Sequence, residues 1–195
     1  MIRTAEESDA EKLLEIYSYY IKNTAITFEW DVPSTAEFAA RIRKISEKYP
    51  FLVAERSGKT VGYAYAGTFN ERRSCDWTVE TSIYVAKDCR GGGVGRELYT
   101  ALEKALAMQN IISLNACVAY PEKEDEYLTA NSVRYHEHMG YRYVGEFHKC
   151  GYKFGRWYSL VWLEKFISEH PQTPPNVKWF PEIRDEFERT IAKKH

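Results

Sequence analysis

Seven residues, Arg90-Gly91-Gly92-Gly93-Val94-Gly95-Arg96, separate a strand-like run ending in Ile83-Tyr84-Val85 from a helical pattern marked by Leu98, Leu102, Ala105 and Leu106. A glycine turn that opens a helix bares several backbone N–H groups at the positive end of the helix dipole. With an arginine at each end, such a turn suits a phosphate or a diphosphate. The alternative is an ordinary flexible strand-to-helix connection. Spacing removes two familiar phosphate loops. No Gly-Lys-Ser/Thr ending follows, so the loop of the nucleotide hydrolases is absent. The dinucleotide fingerprint fails as well, because Arg96 stands at its third glycine and no acid lies about 20 residues on, near Ser113 and Asn115. What remains is R-x-x-G-x-G, written here as Arg90, Gly93 and Gly95.

A second candidate lies just upstream. In Thr78-Val79-Glu80-Thr81-Ser82-Ile83-Tyr84-Val85, strand alternation puts Glu80 on one face with Ser82 and Tyr84, opposite Val79, Ile83 and Val85. A partly buried carboxylate there has a raised pKa and can take a proton from an ammonium. An exposed strand glutamate or an ion-pair partner would look the same in sequence.

These residues need a scaffold, and the periodicities supply one. Ile2–Thr4 reads as a short strand. Ser8 or Asp9 caps a helix bearing Leu13, Leu14, Ile16, Tyr17 and Tyr20. Residues 23–33 read as a loop, and Ser34 or Thr35 starts a helix with Phe38, Ile42 and Ile45 on one side. Strands follow at 51–55, 61–67 and 76–85, the first two joined by Ser57-Gly58-Lys59. After the glycine-led helix come a strand at 113–118, a helix at 131–138, and strands at 141–150 and 157–164. Residues 121–127 read as an acidic, solvated surface loop. Beyond Pro171 the chain is proline-rich, and Ile183, Phe187 and Ile191 then suggest a short amphipathic helix.

The whole chain sets bounds. At 195 residues, 44% hydrophobic and 28% charged, it reads as one globular domain. A net charge of −1 and the lack of a basic, aromatic-interleaved patch argue against nucleic acid and membrane surfaces as partners. No basic segment leads into an apolar run at the start, and no stretch approaches the roughly 18 apolar residues of a membrane span. Cys75, Cys89, Cys117 and Cys150 include no C-x-x-C pair, so reduced thiols in a cytoplasmic protein are expected rather than a zinc site.

The R-x-x-G-x-G loop, behind a strand and ahead of a helix, resembles the acetyl-CoA loop of the Gcn5-related N-acetyltransferases. Trp77–Val85, Ser132–Tyr141 and Gly151–Tyr158 resemble the phosphinothricin acetyltransferase branch, and the motifs span most of residues 1–166 in the expected order. The resemblance implies an α/β (α+β) fold with a mixed central sheet flanked by helices, over residues 1–170. Residues 171–195 would form a C-terminal extension, packed on the domain or on a partner.

It implies acetyl-CoA as co-substrate and no metal. The strand at Ile83, Tyr84 and Val85 would offer backbone groups to the pantetheine arm, with the Val85 N–H the first choice for the oxyanion. Arg90, Gly91, Gly92, Gly93, Val94, Gly95 and Arg96 would hold the diphosphate. Glu80 matches the branch's general base. His136, four residues before Gly140, would be a general acid or a substrate contact, whereas Tyr135 should face the core. Thr129 takes the place of an arm-binding asparagine, with Asn131 two residues on. Arg72, with Arg73, would bind the carboxylate of an amino-acid-like acceptor, a good match for a guanidinium fork. Ser74 and Cys75 replace the branch's Ala and Tyr. Phe28 falls in the loop that shapes the acceptor pocket.

The implied reaction is acetyl transfer to a small amino-acid-like amine of phosphinothricin or methionine sulfoximine type. Alternatives are protein or polyamine acetylation, or a non-catalytic CoA-binding module. Paired arginines oppose a polyamine, and the retained Glu80 and His136 oppose the module. Such relatives are commonly dimers, so a homodimer is expected.

Overall fold

The computed structural model describes residues 1–192. Its centre is a seven-stranded sheet in the order β1-β2-β3-β4-β5-β7-β6, with β1 Ile2–Thr4, β2 Phe51–Arg56, β3 Lys59–Thr68, β4 Thr78–Val85, β5 Ser113–Tyr120, β6 Arg142–Lys153 and β7 Arg156–Phe166. All neighbours are antiparallel except β4 and β5. Helices α1 (Ala10–Asn23) and α2 (Thr35–Ser46) cover one face; α3 (Val94–Met108), α4 (Asn131–His138) and α5 (Phe180–Ala192) cover the other.

The apolar spacing of each helix explains its face. Leu13, Tyr17 and Tyr20 of α1 are buried with Phe38 and Ile42 of α2 and with Phe51, Val53 and Tyr63 of the sheet. Leu98, Leu102 and Leu106 of α3 meet Ala64, Val79 and Leu114 from the other side. Ser34 caps α2 by accepting from the Glu37 N–H, and Glu37 bonds back to the Ser34 N–H. Asp9 does not cap α1 with its side chain. Its carboxylate instead accepts from the Arg3 guanidinium at 2.6 and 2.7 Å and from the Glu6 N–H, tying β1 to the helix entry.

Expected strand boundaries move by one to three residues, and two of the shifts have a visible local cause. The strand expected from Asp76 starts at Thr78, because Arg73–Cys75 form a single 3-10 turn. The strand expected to end at Cys150 runs on to Lys153, passing Lys149 at φ 47° and a shift in register between Phe147 and Gly151.

The loop at 121–127 is exposed at Glu122, Lys123, Glu124 and Glu126, as its composition suggests, and it is anchored at Asp125 and Tyr127. Asp125 accepts from the N–H groups of Tyr127 and Leu128 and from the Tyr158 hydroxyl, and pairs with Arg156 at 2.9 Å. Tyr127 stacks on Phe154 at 4.3 Å, and its carbonyl accepts from the Ala25 N–H. Composition gives the exposed acidic surface but no sign of these anchoring contacts.

Of the expected extension 171–195, residues 193–195 lie outside the described residues, and the rest packs on its own domain. Phe180, Ile183 and Phe187 are buried in the α3-side core. The strap before α5 is bonded along its length: Pro175 O accepts from Trp77 Nε1, Asn176 O from Asn110 Nδ2, and Lys178 donates to Gln109 O. Phe187, wholly enclosed, should therefore support the fold of the entire chain. Phe187→Ala is expected to cost ~3–5 kcal/mol in a urea melt; a loss below about 1 kcal/mol would show that α5 packs only loosely.

Candidate active site

The site forms where β4 and β5 separate. They pair only from Thr78↔Ser113 to Glu80↔Asn115. Beyond that point β4 follows β3 as far as Val85, and β5 follows β7 as far as Tyr120. Each strand keeps its antiparallel partner, so a wedge opens between them. Thr81 sits at its apex, donating to Asn115 O at 3.1 Å and meeting the Tyr141 hydroxyl at 3.0 Å.

Register decides which backbone groups face the wedge. Ala86 donates to Val61 O, so alternation gives the N–H groups of Tyr84 and Ser82 to β3 and turns those of Ile83 and Val85 toward the gap. The Tyr20 hydroxyl closes the far end, donating to Val85 O at 2.6 Å and accepting from the Val85 N–H at 3.2 Å. The Val85 amide, first choice for the oxyanion, is thus already engaged. Ile83 offers the unblocked N–H in the middle of the gap.

Below the wide end lies a cavity of about 480 Å³, bordered by Ile83, Val85, Arg90, Gly93, Asn131 and Tyr135. Gly91 and Gly93 have φ of 76° and 81°, a left-handed backbone that strains any other residue. A Cβ at either would meet nothing within 4 Å, so the loop's backbone stands clear for a ligand. Gly93 is the N-cap of α3 without a side-chain cap, leaving first-turn donors for an anion. Val94 is buried and anchors the turn to the core, while its neighbours line the cavity. The two arginines are held differently. Arg90 lies 4.9 Å over the Tyr20 ring, and Arg96 bonds His138. Thr129 and Asn131 both border the cavity.

The two faces of the sheet carry different chemistry. Glu80 is half-buried and has no ion pair among the described residues; burial alone raises its pKa. Its neighbour Cys117 is pushed up to about 12 by burial and by the Glu80 charge. On the opposite face, His136 is 4% exposed. Its Nδ1 lies 2.7 Å from Ser132 O, which can only accept, so Nδ1 carries the proton and Nε2 accepts from the Tyr99 hydroxyl at 2.9 Å. Burial lowers its pKa against the Ser132 bond, and the ring is neutral. His136, Tyr99, Ser132 and Thr81 all border the narrow part of the gap.

Arg72 and Arg73 are exposed, in the turn between β3 and β4, and neither is ion-paired among the described residues. Phe28 lies on bare Gly151, where a Cβ would stand 2.0 Å from the ring. Lys153, which sequence reasoning missed, is 2% exposed and donates to Thr27 O at 2.8 Å across 126 positions. Burial lowers its pKa, opposed by Glu29. The hairpin of β6 and β7 thereby fixes the loop carrying Thr27, Phe28 and Glu29, and Glu29 pairs with Arg41 at 2.7 Å. A lysine in an edge strand gives no sequence signal of a buried bond to a distant carbonyl.

A parted sheet beside an uncapped glycine turn defines a fold class, and comparison with known proteins agrees. A family profile described as "Acetyltransferase (GNAT) domain" matches residues 2–162. The chain belongs to the Gcn5-related N-acetyltransferase superfamily and is an acetyl-CoA-dependent N-acetyltransferase. It is 33% identical to phosphinothricin N-acetyltransferase of Streptomyces viridochromogenes, over 89% of this chain and 91% of that one. Identity to an L-methionine sulfoximine/L-methionine sulfone acetyltransferase of Pseudomonas paraeruginosa is 36%, over 84% and 92%. Among solved structures, a phosphinothricin acetyltransferase of Sinorhizobium meliloti in complex with acetyl-CoA superposes with a TM-score of 0.82 at 29% identity, covering 93% and 96%. A ribosomal-protein-alanine N-acetyltransferase of Brucella melitensis gives 0.78 at 31%, covering 86% and 99%.

A raised folded-state pKa means that burying the Glu80 carboxylate opposes folding wherever it is ionised. Glu80→Gln should therefore melt at a higher temperature than wild type at neutral pH. The difference should shrink as pH falls through the raised folded-state value and vanish below the unfolded glutamate value of about 4.3. Melting curves between pH 4 and 8 test this; a variant less stable at neutral pH would mean that the carboxylate has a stabilising partner.

Proposed function

We propose that this enzyme acetylates the α-amine of a small amino-acid-like acceptor bearing an acidic group, of phosphinothricin or methionine sulfoximine type. The observation that carries the proposal is Glu80, a half-buried carboxylate without an ion-pair partner among the described residues, where the wedge begins. Such a group takes a proton from the acceptor's ammonium, directly or through water, and leaves a neutral amine to attack the thioester carbon; as the C–N bond forms the C–S bond breaks, and the departing thiolate takes up the second proton lost by the nitrogen. Bound acetyl-CoA supplies an activated thioester. Gly91–Arg96 and Arg90 hold its diphosphate, Ile83, Tyr84 and Val85 flank the arm, and the Ile83 N–H faces the oxygen on which charge develops. Asn131 or Thr129 contacts the arm from the other wall.

His136, neutral and bonded at both ring nitrogens, fits a wall contact in the gap better than a general acid. Arg72 and Arg73, free of carboxylate partners among the described residues, suit the acceptor's acid group, and Phe28 borders its pocket. The names of the phosphinothricin and methionine sulfoximine relatives support this acceptor class. The Brucella relative's name favours a protein N-terminus as the second reading. We also propose a homodimer in the cytoplasm. The exposed Tyr143, Phe147, Tyr152 and Trp157 on β6 and β7 support a subunit contact, and four free thiols support a reducing compartment.

A thiol-release assay across amino acids and N-terminal peptides tests the proposal. Wild type should turn over acidic amino-acid analogues, with kcat/KM falling at low pH through an apparent pKa above the ordinary 4.5 of a glutamate. Glu80→Gln should lose ~10²–10⁴-fold in kcat while acetyl-CoA affinity stays nearly unchanged. Unchanged turnover removes Glu80 as the base. Arg72→Ala should raise the KM for acidic acceptors and leave that for acetyl-CoA; equal effects on both remove its acceptor role. Turnover of peptides alone would replace the small acceptor by a protein terminus.

A further inference from the structure

Arg90 is exposed, and no carboxylate pairs with it among the described residues. A side chain of that length samples many rotamers in water. Here its guanidinium lies against two rings of α1, 4.9 Å from the centre of the Tyr20 ring and 5.6 Å from that of Tyr19. Both separations are those of a cation–π contact. Tyr20 is the fixed member of the pair. It is 6% exposed, its ring meets Tyr84 edge-on at 5.1 Å, and its hydroxyl is bonded to both polar groups of Val85. Tyr19 is more open and also carries the Lys87 ammonium, at 5.4 Å.

Helical periodicity accounts for Tyr20 only as one more apolar residue facing the sheet. Its contacts do more than fill space. The hydroxyl grips the end of β4, the ring face carries the first cation of the glycine turn, and Tyr20, Val85 and Arg90 all border the large cavity. Stacking occupies the face of a guanidinium and leaves its edge N–H groups free, the edge that binds two phosphate oxygens at once. Restricting the side chain before the ligand arrives also lowers the ordering cost of binding. Arg96, at the other end of the turn, is held instead by His138. We infer that Tyr20 is a positioning residue for the coenzyme, its ring holding the Arg90 guanidinium where the diphosphate lies. Helix α1 thereby takes part in coenzyme binding through Arg90, and Tyr20 itself needs no contact with the ligand. The inference rests on reading the cavity as the acetyl-CoA site and Arg90 as a ligand of the diphosphate.

Changing the charge on the ring face while keeping the ring's shape tests it. Calorimetric titration compares Tyr20→Phe with Tyr20→pentafluorophenylalanine, each alone and combined with Arg90→Ala. Both lack the hydroxyl, so they differ in the ring face alone. The fluorinated variant should bind acetyl-CoA about 3- to 10-fold more weakly than Tyr20→Phe, as for loss of a partly exposed cation–π contact. That difference should vanish in the Arg90→Ala background. S-acetylpantetheine, which lacks the diphosphate, should bind both ring variants equally. Equal affinities for acetyl-CoA overturn the inference. So does a difference that survives Arg90→Ala or extends to S-acetylpantetheine, because Tyr20 would then act through packing. A wild-type measurement stands beside these in case a variant fails to fold. The Arg90 side-chain methylene protons should resonate upfield of their random-coil positions through the Tyr20 ring current, and random-coil positions would also overturn the inference. Arg90→Ala with the wild-type Kd for acetyl-CoA would remove Arg90 as a diphosphate ligand and the inference with it. Wild-type protein that binds no acetyl-CoA would refute the coenzyme reading itself, a result separable from all of these.

Discussion

Everything in this site depends on two parallel strands that stop pairing after three residues. β4 and β5 are adjacent from Thr78 to Glu80 and then part, because each stays bonded to its own antiparallel neighbour. Buried backbone groups that lose a strand partner must find another. At the apex the Thr81 side chain takes Asn115 O, and at the far end the Tyr20 hydroxyl takes both polar groups of Val85. Between these plugs the Ile83 N–H is left facing the gap. The parting thus makes an opening through the sheet and also supplies main-chain donors along it.

The opening joins two surfaces with different character. On the α1–α2 side lies Glu80, its proton affinity raised by burial, beside a loop fixed by Lys153 and the packing of Phe28 on Gly151. On the α3–α4 side lie the glycine turn and the neutral His136–Tyr99 pair. In the proposed reaction an acceptor amine and a thioester arrive from opposite sides and meet in the wedge, the arrangement direct transfer requires. The rigidity this needs comes from contacts distant in sequence. Asp125 ties the acidic loop to the hairpin of β6 and β7, Tyr127 ties it to Ala25, and α5 closes the core behind α3.

Sequence reading recovered what local periodicity and backbone chemistry control. The glycine turn was legible because positive φ at Gly91 and Gly93 and an uncapped α3 follow from residue type. The helix faces and Glu80's place on its strand follow from alternation. Three features escaped. His136 carries no local sign that both its nitrogens are engaged. The buried bond of Lys153 and the anchoring of the acidic loop were hidden because their partners, Thr27, Tyr158 and Ala25, come from distant parts of the chain.

The central claim is that the wedge and the glycine turn together seat acetyl-CoA, and amide hydrogen exchange resolved by NMR tests it most directly. Adding acetyl-CoA should slow exchange at Ile83 and at Gly93, Gly95 and Arg96, and leave the edge strands β1 and β6 unchanged. Protection absent from Ile83 and the glycine turn while the ligand binds elsewhere would contradict it.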